Sequence, residues 1–481
     1  MTRIVVIGAG LSGLAAALLL ARDGHDVTVL ERDAAEPEGD AEALWRNWER
    51  PGVSQFRLPH GMIAYWRRLM ERELPEVIDE VERLGGRRES PIDTLPVALT
   101  GGPRAGDEDL RGMAARRQVL EGALAAVAAR APGVTIRRGA KTVAVVTTPP
   151  GGSEGGSVPQ VGGVVIDTGE TLAADLVVDA MGRSTSLDRM LDAIGARRPD
   201  EQAEEFGYVY YGRQFRNNEP RSVPVTTSLV PYEGMSLLTL AGDADTYSLI
   251  FFTASTDRDL RGLRDVDAWE RAVALFPDVT PVWSVSTPTT GIQVMTGDAD
   301  RRRSLVVGGV PVVAGLVAVG DAAVRTNPSL GRGGATGLAQ ACTLRDVLRE
   351  VGPDRPVELA LRFAEVVDAV VGPLYRLTIA YDRNRMAEIQ ADIAGTPHRF
   401  TDATWNLQRS LLRLAHQDAD ALRIVLRANL HMEPLDPTRF PASLRAGIEA
   451  LDVHTTPYPA NGPTRAQLLE AVAGRSRRSV A

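Results

Sequence analysis

A β-branched run, Ile4–Ile7, meets a helix-forming stretch, Leu14–Ala21, through Gly8-Ala9-Gly10-Leu11-Ser12-Gly13, and few folds accommodate that junction. Gly8 permits a tight turn out of a strand, Gly10 lets backbone N–H groups approach a phosphate with no Cβ in the way, and Gly13 lets helix and strand pack closely. A diphosphate then sits at the positive end of the helix dipole. A second strand, Val27–Leu30, ends in Glu31, 23 residues after Gly8, where a carboxylate accepts hydrogen bonds from a ribose diol. The βαβ unit that holds a dinucleotide is complete within residues 1–34.

A second segment, Leu316–Ala323, again runs an apolar strand into a glycine, more than 300 residues further on. Gly320 frees the backbone for a turn, and Asp321 brings a carboxylate back toward the same cofactor. The pair of segments indicates FAD rather than NAD.

Composition narrows the class. A chain of 481 residues has length for about two or three domains. Its 54 basic and 62 acidic residues leave −8, so no bulk field draws in nucleic acid or anionic lipid. One cysteine, Cys342, excludes an internal disulfide and suits a reducing cytoplasm. Six histidines show no metal-ligand spacing and no Ser/His/Asp triad. Lys141 is the only lysine. The start shows no signal-peptide pattern, and the longest apolar stretch, Leu305–Val319, is broken by Gly308, Gly309, Pro311 and Gly315. It reads as two core strands joined by a turn, with no membrane span.

The pattern divides the chain into an α/β nucleotide-binding part over 1–204 and 301–350, an inserted, mainly antiparallel β-sheet over 205–300, a helical region over 351–473 and a basic tail over 474–481. Within the first part, Met62–Leu84 is helical with a break at Pro75, and Ala114–Leu120 starts another helix running to about Arg130. Strand patterns at 134–147 and 161–168 flank a Pro/Gly/Ser-rich hairpin tip at Pro149–Gly156, and Leu176–Ser184 returns to the nucleotide sheet. Strands are expected at Tyr208–Phe215, Val225–Leu229, Ser236–Leu240 and Tyr247–Thr253, with a helix near Val266–Phe276. Helices are expected at Leu338–Leu348, Val357–Ala369 and Leu374–Ile393. Along Tyr208–Phe215, Tyr211 and Arg213 share one face, and Tyr208 and Tyr210 the other.

The N-terminal fingerprint, Asp179-Ala180-Met181-Gly182-Arg183, and Gly320-Asp321 through Asn327-Pro328-Ser329-Leu330-Gly331-Arg332-Gly333 resemble the FAD-dependent monooxygenases of para-hydroxybenzoate hydroxylase fold over nearly the whole chain. Gly52-Val53-Ser54-Gln55, Pro59-His60 and Leu74–Val77 are most similar to actinobacterial natural-product tailoring oxygenases, including polyether-type epoxidases. The resemblance implies a glutathione reductase-like FAD domain with an inserted substrate sheet. It places Asp321 on the ribityl chain and Pro328, Gly331, Arg332 and Gly333 at the pyrimidine edge of the flavin. It adds Leu11, Ser12 and Arg32 to the cofactor contacts, and puts Arg116 or Arg117 on a phosphate, Arg116 preferred, with Gln118 a further candidate. Arg50 and Arg57 have equal claims to a phosphate or nicotinamide contact and to the surface. Asp179 and Gly182 lie near FAD, although the family's usual Asp-Gly is here Asp179-Ala180, which leaves direct NADPH binding open.

The implied reaction is hydroxylation or epoxidation of a hydrophobic small molecule through a flavin C4a-hydroperoxide formed from O₂, in secondary metabolism and in the cytoplasm. Electrons come from NADPH or NADH, directly or through a partner flavin reductase. His60, Tyr211 and Arg213 are the candidate catalytic side chains. A geranylgeranyl reductase-type double-bond reductase shares the Asp-x-x-Gly-Arg turn and is the alternative. A flavin-dependent halogenase is disfavoured, since its lysine is missing from the early segment, and a non-catalytic FAD-binding protein is a third class.

Overall fold

The computed structural model describes residues 1–148, 158–296, 299–399, 401–451, 458 and 461–474. Five strands run parallel at its centre in the order Leu316–Ala318, Leu176–Asp179, Arg3–Ile7, Asp26–Glu31, Val134–Arg138. A parallel sheet is covered on both faces, so its inner strands are apolar on both sides. Ile4 and Val6 enter one core with the helices Leu11–Arg22 and Gly333–Val351, while Val5 and Ile7 enter another with the hairpin Thr142–Thr147/Val161–Ile166. Because the strands share one direction, Gly8, Glu31, Asp179 and Gly320, each at or just past a strand's carboxyl end, emerge along one edge. That edge is where open α/β sheets bind ligands.

One antiparallel sheet sets the second layer. Ser228–Tyr232, Met235–Ala241, Thr246–Ala254, Tyr208–Asn217 and Ser286–Pro288 pair in that order, and Gln293–Thr296 also pairs with Tyr208–Asn217. This cover sheet is apolar on both faces. Tyr211, Phe215, Leu237 and Phe251 pack with Trp269 of the helix Val266–Val273, whereas Tyr208, Tyr210, Leu238, Ile250 and Phe252 pack with Met386 and Ile389 of a 39-residue helix, Pro356–Ala394.

Several elements differ from the sequence expectation. Val134–Arg138 joins the central sheet rather than the hairpin, which is built from Thr142–Thr147, Val161–Ile166 and Thr171–Ala173. The proposed tip at Pro149–Gly156 lies outside the described residues, as does the tail beyond Gly474. Leu305–Val319 makes three short strands, not two: Val306–Val307 and Val310–Pro311 pair with each other and Leu316–Ala318 enters the central sheet. The helix expected from Ala114 begins at Arg117, because Gly112–Ala114 is held as a strand against Arg87–Glu89. The expected helices Val357–Ala369 and Leu374–Ile393 are one, running through Pro373. Proline inside a helix costs about 3 kcal/mol; here Val371, Tyr375 and Ile379 are buried together in the hairpin-side core, and that packing carries the helix across the proline.

Candidate cofactor and substrate site

The three fingerprint glycines have different reasons. Gly8 stands at φ +109°, and a Cβ on it would lie 2.6 Å from the Ala180 carbonyl oxygen; a Cβ on Gly13 would lie 2.0 Å from the Gly8 carbonyl oxygen. Both are forced by the protein's own packing. A Cβ on Gly10 would meet nothing within 4 Å, so the absence of a side chain keeps clear the approach to the helix Leu11–Arg22. That helix has no side-chain N-cap and no acidic residue in its first turn, leaving its N–H groups and positive dipole end for an anion. Ser12, expected on the cofactor, also sets the packing: Cβ atoms on Gly320 and Gly337 would lie 2.6 and 2.2 Å from its hydroxyl, so the two glycines let the fingerprint helix seat against the second segment.

Glu31 is buried at the next strand end, accepting from the Ala9 N–H at 2.9 Å and the Asp33 N–H at 3.0 Å, with Arg50 on Oε2. A carboxylate offers about four lone-pair directions, so a ribose diol still finds acceptors. Arg50, open between cofactor and surface in the sequence, is buried between Glu31 and Glu121. Arg57 lies over the Trp45 ring at 5.0 Å and donates to the Trp48 carbonyl at 3.0 Å. Arg32 is exposed and reaches the Gly52 carbonyl and the Ser184 hydroxyl.

The arginine assignment changes. Arg116 forks onto Asp243, with Nε–Oδ2 2.9 Å and Nη2–Oδ2 2.6 Å, and bonds Glu42, so this buried guanidinium is committed to protein partners. Arg117 bonds Glu121 at 2.7 Å and His60 Nε2 at 3.0 Å, and its charge acts on Asp321. Gln118 donates to the Phe56 carbonyl at 2.5 Å. His60 Nδ1 lies 2.8 Å from the Leu58 carbonyl, so Nδ1–H donates there and Nε2 accepts from Arg117. Burial, then the Arg117 cation, pushes its pKa to about 3. The neutral ring, with Nδ1–H on the Leu58 carbonyl and Nε2 on Arg117, holds Arg117 in place.

Asp179 is wholly buried and closes its own turn, accepting from the Met181 N–H at 2.9 Å and the Thr185 hydroxyl at 2.6 Å, and burial raises its pKa to about 6. Gly182 follows at φ +67° with nothing within 4 Å of a Cβ. Asp321 is the contrasting carboxylate. It makes no hydrogen bond or ion pair among the described residues; burial pushes its pKa up while Arg183 and Arg117 pull it down. A desolvated acceptor without a protein donor suits the hydroxyls of a ribityl chain. It faces the start of the helix Gly333–Val351, where a Cβ on Gly333 would lie 3.7 Å from Asp321 Oδ1. Gly331 takes φ +65° in the turn that leads there. The arrangement of Gly10, Glu31, Arg117 and Asp321 fits FAD. Arg332, expected at the flavin edge, instead sends Nη1 to the Thr378 hydroxyl at 2.9 Å on the 39-residue helix.

The cover sheet meets this edge through a cavity of about 60 Å³. Tyr210, Gly212, Leu238, Leu240, Ile250, Gln293 and Met295 line it from the sheet, and Leu58, Pro59, Pro328 and Ser329 from two loops. This corrects the expected face. Tyr211 and Arg213 point the other way, Tyr211 into the Trp269 core and Arg213 onto Glu270 at 2.7 Å, because the aromatic layer above Val266–Val273 claims that side of the strand. Sequence reasoning passed over Gly212. A glycine inside a strand leaves its face bare and marks a close approach or a cavity.

Behind the cavity lies a polar cluster also missed from sequence. The Tyr210 hydroxyl donates to Asn327 Oδ1, and Asn327 Nδ2 donates to Asp382 Oδ1 at 2.8 Å. The Asn327 N–H donates to Asp300 Oδ1. Asp382 and Asp300 are buried side by side, which pushes the Asp382 carboxyl well up and Asp300 to about 6. One proton shared between the carboxyls lets this pair anchor the Asn327–Gly333 turn. Among the described residues no three His, Cys, Asp or Glu side chains could hold a metal, and no helix is long and apolar enough to cross a membrane.

A parallel nucleotide sheet with a dinucleotide fingerprint, a second glycine segment returning to the same edge, and an antiparallel sheet over it define an FAD-binding oxidoreductase. The chain belongs to the FAD dependent oxidoreductase family, whose pattern it matches over residues 3–324. It is 26% identical over 402 residues to Protein Rv3254 of Mycobacterium tuberculosis, covering 79% of each chain. Its fold is similar to that of 2-methyl-3-hydroxypyridine-5-carboxylic acid oxygenase, with TM-score 0.53 and 20% identity over 81% of this chain and 93% of the other. It is also similar to CmlS, a flavin-dependent halogenase, with TM-score 0.59 and 17% identity over 93% of this chain and 76% of the other.

Proposed function

We propose that this protein is a monooxygenase that uses FAD and O₂ to hydroxylate or epoxidise a hydrophobic small molecule of secondary metabolism. The observation that carries the reading is the cavity between the cover sheet and the Pro328–Gly333 turn: it opens toward apolar side chains, and no charged residue lines it. Bound FAD supplies the redox chemistry and the activation of O₂. The chain supplies the surroundings. Gly10 and the helix behind it receive the diphosphate, Glu31 the ribose and Asp321 the ribityl hydroxyls. Leu58, Pro59, Leu240, Ile250 and Met295 exclude water from the reacting region.

Oxygen transfer to an electron-rich carbon asks little acid–base chemistry of the protein, which agrees with a neutral, fully bonded His60 and a cavity without charge. Halogenation has less support, since Lys141, the single lysine, is exposed beside the hairpin. NADPH or NADH supplies electrons, directly or through a flavin reductase. Anaerobic mixing of the FAD-loaded protein with each nucleotide tests the donor by bleaching of the flavin. Subsequent O₂ uptake that rises with candidate substrates, with one oxygen atom found in product, is the expected result. Saturation of a double bond without O₂ would replace the proposal with the reductase alternative.

A further inference from the structure

Resting on the monooxygenase reading for what the cavity holds, we propose that Glu121 is a positioning residue that ties the ribose end of the cofactor site to the wall of the substrate cavity, so that loosening either end is felt at the other. The segment 50–60 leaves the cofactor edge and ends at the cavity, and both of its ends return to this one carboxylate. At the start, Arg50 bonds Glu121 Oε2 and Glu31 Oε2 and donates to the Ala9 carbonyl at 3.0 Å, so it holds the ribose acceptor and the fingerprint turn together. At the finish, Arg117 bonds Glu121 Oε1 at 2.7 Å and His60 Nε2 at 3.0 Å, and His60 Nδ1–H holds the Leu58 carbonyl. Leu58 and Pro59 line the cavity. The route from ribose acceptor to cavity wall is thus Glu31, Arg50, Glu121, Arg117, His60, Leu58.

Burial makes the link stiff. Glu121 lies wholly buried on the helix Arg117–Arg130, and burial alone would raise its pKa; the Arg117 and Arg50 cations reverse this and hold it below the usual range, so it stays charged. Each oxygen serves a different arginine. Removing one member of a buried ion pair strands the other charge, so neither arginine leaves Glu121 freely. Neighbouring carbonyls of the wall are held by neutral bonds: Gln118 donates to Phe56, and Gln214 and Gln293 donate to Arg57 at 2.7 and 3.1 Å. These fix the wall to the helix and the cover sheet without involving Glu31. An amide at position 121 has one acceptor oxygen where the carboxylate has two, and its NH₂ faces a guanidinium. Arg50 would still have Glu31, and Asp33 at 3.7 Å, whereas Glu121 is the one acidic partner of Arg117 among the described residues. The wall end is therefore the one that lets go.

The test uses the FAD-saturated protein, with hydrogen exchange of the peptide 56–61 reporting the wall and flavin fluorescence on dilution reporting FAD release. Glu121→Gln should raise exchange in that peptide roughly 10- to 100-fold, the range of one hydrogen bond to a charged group. It should speed FAD release by roughly 2- to 10-fold and leave exchange in the central cover strand Thr246–Ala254 unchanged. A general loss of structure would move that strand too. Transmission is read from the two ends. Glu31→Gln should raise exchange at 56–61, and His60→Ala should speed FAD release, each by more than about two-fold, the limit for independent sites. In the Glu121→Gln background both cross effects should fall below that limit. Where Glu121→Gln does not fold, Glu121→Asp, charged but one methylene too short to hold both arginines, takes its place. Unmoved exchange at 56–61 in the variant, absence of either cross effect in the parent, or cross effects that persist without Glu121 would each overturn the proposal. These readouts need no substrate. O₂ uptake without the coupling would refute the positioning role alone, and coupling without O₂ uptake on any substrate would refute the monooxygenase reading alone.

Discussion

Replacing His60 with glutamine isolates one half-buried ring as a source of acid sensitivity. Its pKa falls from 6.5 to about 3 because burial and the Arg117 cation both oppose its charge. The folded state thus binds fewer protons than the unfolded one, so the contribution is intact above pH 6.5 and is lost as pH drops toward 3. With 1.36 kcal/mol per pH unit as the limiting slope, the loss from this group is about 2 kcal/mol at pH 5 and about 0.8 kcal/mol at pH 6. Asp179 and Asp300, both raised to about 6 by burial, act in the opposite sense. The native protein takes up their protons first, and the penalty of holding them charged disappears between pH 6 and 4. The parent's own curve therefore mixes the two, while the difference between parent and His60→Gln contains the histidine alone. Glutamine keeps an acceptor for Arg117. Urea unfolding of the FAD-loaded proteins, followed by released flavin fluorescence at pH 7.5, 6 and 5, should show the variant losing about 2 kcal/mol less than the parent by pH 5. Ring ¹³C NMR should show the His60 signal unmoved from pH 8 to 5. A ring titrating near 6.5, or parallel acid loss in both proteins, would refute the assigned burial and tautomer.

Three other perturbations test separate parts of the structure. Gly13→Ala sets a Cβ 2.0 Å from the Gly8 carbonyl oxygen and should cost at least 1–3 kcal/mol as overpacking; the purified variant should carry little flavin, read from its visible absorbance. Asp382→Asn replaces a carboxyl whose pKa burial beside Asp300 raises by an amide of the same shape and should cost less than about 1 kcal/mol, whereas Asp382→Ala strands the Asn327 amide and should cost about 1–3 kcal/mol more, both read from thermal midpoints. Tyr211→Phe, on the strand face turned from the cavity, should leave kcat/KM within about two-fold, since a group that contacts neither substrate nor cofactor adds no transition-state interaction. A tenfold fall would restore the expected catalytic role.

The cofactor end was legible because each feature there is local. Strand, glycine turn, helix and Glu31 fall within 31 consecutive residues, and the steric reason for Gly13 is the Gly8 carbonyl of that same unit, although Gly8 itself is pressed by the distant Ala180 carbonyl. The second segment was legible for the same reason, through Gly320. What failed was assignment between adjacent side chains. Arg116 and Arg117 differ by one position, yet Asp243, 127 residues downstream, captures Arg116 and leaves Arg117 to Glu121 and His60. Ser12, expected among the cofactor contacts, also lies against two distant glycines, Gly320 and Gly337, which the sequence does not bring beside it.

The substrate end shows why strand alternation alone does not choose an active face. Period two correctly separates Tyr208 and Tyr210 from Tyr211 and Arg213, but both sets sit in aromatic cores, so neither looks like the solvent side. The choice follows from what each face meets: Trp269 on one side, and on the other the Asn327 turn, itself held by Asp300 and Asp382 from two further elements. Only that second face also carries Gly212, the one position of the strand where a side chain is missing above the cavity. A Cβ on Gly212 would lie 3.3 Å from the Ile250 side chain, so Ile250 of the neighbouring strand leans over it and the two share that part of the cavity wall. Tyr210, Gly212 and Ile250 line the cavity together, and Tyr211 and Arg213 do not.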